Sequence, residues 1–155
     1  MPGDRIEREI EIDAPIDVVW SVITEPDHIT GWFTDTAELD AHPGREGRFG
    51  WERAGGGRHI VNLRVERHEP PHFFSFRWNH PDGTDPDATN APLVEFTLEA
   101  RGDSTCLRLV ESGIQGLARS DDEKDTYLSE HTSGWDTIVE RLRTYAAAQP
   151  GAAAG

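Results

Sequence analysis

One stretch of this chain, residues 120–147, is long and apolar enough to cover a sheet, and most of what precedes it reads as strands that need covering. Tyr127, Leu128, His131, Trp135, Ile138, Val139, Leu142 and Tyr145 recur at three- and four-residue steps, the period of an amphipathic helix. Ser120-Asp121-Asp122-Glu123 ahead of them is a capping-box pattern. Upstream, Val94, Phe96 and Leu98 alternate against Glu95, Thr97 and Glu99, which marks a strand with one wet face. Phe74, Phe76 and Trp78 alternate in residues 72–78, and His59, Val61, Leu63 and Val65 share a parity in residues 58–67. Shorter strands are expected at residues 36–39 and 47–51, and Thr105, Leu107, Leu109 and Glu111 share a face of the last one. Ala54-Gly55-Gly56-Gly57 and Arg101-Gly102-Asp103 are turns, and residues 79–92 form a long polar loop. An antiparallel sheet with one wet face must bury the other. The expectation is therefore an α+β domain, a curved antiparallel sheet of about six to seven strands around a long C-terminal helix.

The N-terminal part fits this plan. Ile6, Ile10 and Ile12 alternate with charges, as in a half-buried strand. Pro15 suits a first helical position and Asp17 the positive first turn. Val18, Val19, Val22 and Ile23 give a short helix its apolar face, with Trp20 on the flank. Pro26 opens a second short helix with Ile29, Trp32 and Phe33 on its apolar side, although Gly31 weakens it. Residues 1–148 read as one domain and residues 149–155 as a flexible Ala/Gly tail.

With 15 Lys+Arg against 29 Asp+Glu, the net charge of −14 opposes binding to nucleic acid or an anionic membrane. Cys106 is the only cysteine, so no intrachain disulfide forms. No apolar run reaches the roughly 20 residues of a membrane span, and the charged first residues lack a signal-peptide core. A cytoplasmic protein is expected.

The run IEIDAPIDVVW at residues 10–20 resembles the opening of START-like domains of the SRPBCC superfamily. Thr24-Glu25-Pro26 through Gly31-Trp32-Phe33 continues the likeness, as do Gly47-Arg48-Phe49 and Ser75-Phe76-Arg77-Trp78. Residues 105–113 (TCLRLVESG) and Gly134-Trp135 complete it. Together these resemble the branch related to the C-terminal domain of Hsp90 ATPase activators. The resemblance implies a helix-grip (Bet v 1-like/START) fold with two short helices after the first strand, and often a hydrophobic ligand cavity. It implies no shared catalytic residues. No counterpart of the separate N-terminal domain of eukaryotic Hsp90 activators is read, which sets the sequence against an Hsp90 homologue as partner.

In a grip of this kind the cavity wall comes from the inward strand parity and one helix face. The expected lining is Trp51, His59, Val61, Phe74, Phe76, Trp78, Phe96, Leu107 and Leu109 from the sheet, with Tyr127, Leu128, His131 and Trp135 from the helix. Trp32 and Phe33 join them from the short helices. The same aromatics could equally fill the space as core. Glu111 shares the inward parity, and a buried carboxylate needs a partner. His131 or His59 could supply it, either as a structural pair or as a general acid/base.

His42, His68, His72 and His80 lack ligand spacing, and Asp82, Asp85 and Asp87 do not match a calcium loop. No metal or cofactor is expected. Cys106 has the outward parity of Arg108 and reads as inert. The leading expectation is a non-enzymatic module for a small hydrophobic molecule. A cyclase, aromatase or hydrolase using Glu111 with His59 or His131 is the second. A protein-interaction role, as chaperone partner or homodimer, is the third, and it needs an exposed apolar patch around Trp20, Trp32 and Phe33.

Overall fold

The structure, a computed structural model, describes residues 5–80 and 83–150. Alternation places β1 at Arg5–Ile12, with Ile6 and Ile12 buried and Glu7, Glu9 and Glu11 exposed. Helix α1 spans Ile16–Thr24 and buries Val19, Val22 and Ile23. Pro15 has an extended ψ of 154°, so it caps this helix from outside rather than occupying its first position. Helix α2 is one turn, Pro26–Ile29. Trp32 and Phe33 follow it in a turn rather than riding on it.

The remaining elements are β2 (Thr36–Glu38), β3 (Glu46–Glu52), β4 (Arg58–Glu69), β5 (Phe73–Trp78), β6 (Leu93–Arg101), β7 (Ser104–Ser112) and α3 (Asp121–Ala147). The strands form one seven-stranded antiparallel sheet in the order β1-β7-β6-β5-β4-β3-β2. The chain crosses from β1 to the far edge through α1 and α2, then returns strand by strand until β7 meets β1. This is the helix-grip arrangement.

Register stacks the apolar rows. Phe74 pairs with Phe96, Phe76 with Val94, and Leu98 with Leu107. Each Phe buried here contributes roughly 1.5–3 kcal/mol relative to exposure. The same register puts Glu111 between Ile6 and Val94, a carboxylate inside an apolar row. Cys106 keeps its outward parity but is only 9% exposed, because it lies between Glu11 and Glu99 of the flanking strands.

Helix α3 begins as its sequence directs. The Ser120 hydroxyl accepts from the Glu123 backbone N–H at 3.2 Å, and the Glu123 carboxylate accepts from the Ser120 N–H. Tyr127, Trp135, Val139, Leu142 and Ala146 turn inward. Arg8 of β1 pins the outer side by donating to Asp136 at 2.7 Å. The first residues of the expected tail, Gln149 and Pro150, follow the helix in a turn, and residues 151–155 lie outside the described residues.

Candidate functional site

The site is built around Glu111, which has no exposed surface. Its carboxylate accepts four hydrogen bonds: Trp78 Nε1 at 2.8 Å and Tyr127 OH at 2.5 Å on Oε2, His131 Nδ1 at 2.8 Å and Trp135 Nε1 at 2.9 Å on Oε1. Three of the donors come from α3. Tyr127, His131 and Trp135 stand four residues apart, so their side chains share one face of the helix. The fourth, Trp78, ends β5 with the inward parity of Phe74 and Phe76.

Four donors saturate a carboxylate. Burial alone would push the Glu111 carboxyl up. The hydrogen bonds from His131, Tyr127 and Trp135 and the neighbouring imidazole overcome it and hold the group below the ordinary glutamate value. Burial and the charge of Glu111 together push the Tyr127 phenol well above its ordinary value. The His131 ring is stacked on Tyr127, centroids 3.8 Å apart, and meets Trp78 edge-on at 5.7 Å. Asn79 extends the network by donating from Nδ2 to the Tyr127 hydroxyl at 2.9 Å. It does so from a left-handed backbone, φ 65°, a conformation Asn tolerates better than most residues.

Beside this network lies a cavity of about 300 Å³, lined by Phe33, Trp51, His59, Val61, Trp78, Asn79, Glu130, His131, Gly134, Trp135 and Ile138. Its aromatic walls brace one another. Trp78 and Trp135 stack at 5.7 Å, and Phe33 lies 5.4 Å from Trp135, 5.5 Å from Trp51 and 5.8 Å from Trp78. The Trp51 indole donates to the Phe33 carbonyl at 2.8 Å, which fixes the turn after α2 against β3.

Of the residues expected to line a cavity, Phe33, Trp51, His59, Val61, Trp78, His131 and Trp135 do so. Trp32, Phe74, Phe76, Phe96, Leu107 and Leu109 do not; they are 3% exposed or less and fill the space as core. Glu111 stands behind the wall, Tyr127 lines an adjoining cleft with His59, Asn79 and His131, and Leu128 packs, partly buried, against the core. The structure brings Glu111 to His131 and not to His59. The His59 ring is exposed at the end of β4 and takes a hydrogen bond from Arg53 at 3.1 Å. Asn79, Glu130, Gly134 and Ile138 were outside the expected lining. The last three run in steps of four beside the His131 row, a spacing that could have found them. Nothing in the sequence separates Asn79 from the polar loop it opens.

One other expectation changes. Trp32 and Phe33 are 3% and 7% exposed, and Trp20 packs against His68 and Phe74 at 5.3 and 6.3 Å. No exposed apolar patch forms around them. No group of three or more His, Cys, Asp or Glu side chains able to hold a metal ion occurs among the described residues, and Asp82 lies outside them. No described helix is long and apolar enough to cross a membrane.

Solved structures share this architecture. DynU16, a protein of the dynemicin biosynthetic locus, is 22% identical with a TM-score of 0.70, over 97% of this chain and 50% of its own length. The chain thus spans half of that protein. MLL2253 of Mesorhizobium loti is 25% identical, TM-score 0.71, over 94% of this chain and 98% of its own. CalU16 of Micromonospora echinospora is 25% identical, TM-score 0.64, over 93% and 76%. A comparison with curated proteins finds no match. A family model described as Activator of Hsp90 ATPase homolog 1-like protein matches residues 13–147, which takes in α1, the turn of Trp32 and Phe33, β2 to β7 and all of α3. On that match, which includes every residue of the Glu111 network, the chain belongs to the Activator of Hsp90 ATPase homolog 1-like family within the SRPBCC superfamily.

Proposed function

We propose that this protein is a non-enzymatic binding domain for one small hydrophobic or aromatic molecule, held between Phe33, Trp51, Trp78 and Trp135. The observation that carries this reading is the wall itself. Trp78, Trp135 and His131 are already hydrogen-bonded to Glu111, and Trp51 to Phe33, so a ligand meets a preformed surface. A preorganised site loses little conformational freedom on binding. At about 300 Å³ the cavity is at the small end of ligand pockets, which favours a compact ring system over a lipid chain.

Gly134 supplies the test. It lines the cavity, and a Cβ added there meets nothing within 4 Å. Gly134→Leu should keep the fold and fill the space. Native mass spectrometry of the protein purified from its host, with and without this substitution, should show a retained small molecule on the parent only. Added ligand should raise the melting temperature of the parent and not of the variant. A parent that carries nothing, and melts at one temperature with every small aromatic tried, rules the reading out.

One observation favours a second reading, an enzyme of cyclase, aromatase or hydrolase type. An imidazole with Nδ1 held by a buried carboxylate is an oriented general base. In that case His131 alone exchanges protons with substrate, because Glu111 is saturated by its donors. A pH–rate profile whose imidazole limb vanishes in His131→Gln would establish it.

A further inference from the structure

His131 faces the cavity with one ring nitrogen already committed. Its Nδ1 lies 2.8 Å from Oε1 of Glu111, and the other three partners of that carboxylate are also donors. An ionised carboxylate only accepts, so the proton between them sits on Nδ1. A neutral imidazole has a single N–H, which leaves Nε2 bare. The ring does not exchange its nitrogens freely, because it is stacked on Tyr127 and flanked by Trp78. No described residue hydrogen-bonds to Nε2, and the His131 side chain is 24% exposed at the cavity wall.

Of the other polar groups at the rim, Glu130 points the same way, as a second acceptor that carries a negative charge. His59 differs: its Nδ1 accepts from the Arg53 guanidinium, which can only donate, so the N–H of its neutral ring is on Nε2, a donor that a hydroxyl oxygen can also meet. A ligand anion would meet Glu130 and a chain whose net charge is −14. A ligand hydroxyl would meet an unfilled acceptor on an aromatic wall. We propose that the cavity selects a small aromatic molecule bearing a hydroxyl group, and that this hydroxyl donates to Nε2 of His131. The proposal rests on the binding reading above and adds the chemical class of the ligand.

Calorimetric titration of the full chain with naphthol, its methyl ether, naphthalene and naphthoate tests it, at a pH where nitrogen NMR shows the His131 ring to be neutral. Naphthol should bind about tenfold more tightly than its methyl ether, the difference expected for one well-made hydrogen bond. Naphthoate should bind most weakly. His131→Phe should bring naphthol to the level of the ether. Nitrogen NMR of the parent protein gives a readout that does not depend on the variant's folding. It should show the tautomer with the proton on Nδ1, and a shift of Nε2 on adding naphthol but not naphthalene. If none of the four compounds binds, the binding reading falls and this proposal with it. If they bind but naphthol has no advantage, or naphthoate binds best, only the hydroxyl assignment is overturned. A proton found on Nε2 in the neutral ring also overturns it.

Discussion

Trp78 and Trp135 stack with their ring centroids 5.7 Å apart, and each donates its indole N–H to a different oxygen of the same carboxylate, Glu111. One buried charge thus ties β5, β7 and α3 together and sets the tilt of two walls of the cavity. Removing it orphans every donor at once. Glu111→Ala should destabilise the protein by several kcal/mol, about 1–3 kcal/mol for each buried donor left without an acceptor. Glu111→Gln should also destabilise clearly, because its amide NH₂ must face donors. Urea denaturation followed by tryptophan fluorescence measures both. A loss for Glu111→Ala within the ±0.5 kcal/mol typical of a surface change would show that the carboxylate is not the anchor.

The same network predicts stability limits in acid and in alkali. The Glu111 carboxyl is held below its ordinary value of about 4.5 in the folded protein, so the unfolded chain takes up a proton first as pH falls. Its contribution is therefore present above that value and is lost as pH drops through the lower, folded value. Tyr127 is the reverse case. Its phenol is pushed well above 10.0 in the folded protein, so the unfolded chain releases the proton first. That contribution is present below pH 10 and declines above it. Melting temperature against pH should fall on both flanks, and Tyr127→Phe should flatten the alkaline flank. An alkaline flank unchanged by Tyr127→Phe would contradict the assignment.

The difference between what sequence and structure reveal is physical. Periodicity reports which face a residue takes, so the strands, the inward parity of Glu111 and the stripe of α3 were all legible. Parity does not report how far along a strand the cover extends. His59 has the parity of Val61, yet it sits at the cavity rim near the start of β4 and is exposed, while Val61 is 4% exposed. Parity likewise cannot separate wall from filling. Phe76 and Trp78 alternate identically, but Phe76 meets Phe49 and Phe96 on its sides while Trp78 stands where the sheet and helix part. Asn79 was read as loop because its role depends on a left-handed backbone that aims it at Tyr127, which its composition-neutral neighbours do not announce.

Cys106 should behave as a buried thiol despite its outward parity. Burial is the main cause raising its pKa, and Glu9 adds a negative charge that disfavours the thiolate. The thiolate is the nucleophile, so reaction depends on both its fraction and its access. A colorimetric disulfide reagent at neutral pH should label the native protein far more slowly than the urea-unfolded chain. Equal rates would mean that the strand edges around β7 open readily.

Gly31 and Tyr145 predict a substitution whose sign depends on its partner. Gly31 follows α2, and a Cβ built on it overlaps the Tyr145 ring of α3. The Tyr145 hydroxyl is itself hydrogen-bonded to His28 Nδ1 at 2.8 Å, so the ring cannot swing away without losing that bond. Gly31 is not in the left-handed backbone region, so alanine is not excluded there by φ. Gly31→Ala in the parent should therefore cost about 1–3 kcal/mol from overpacking alone. In a Tyr145→Ala background the obstacle is gone, and replacing glycine should instead stabilise by about 0.4–1 kcal/mol through the unfolded chain. A double-mutant cycle by chemical denaturation reads the coupling directly. Additive effects would mean that α2 does not rest on Tyr145, and that the turn carrying Trp32 and Phe33 is held by the Trp51 and Trp32 hydrogen bonds alone.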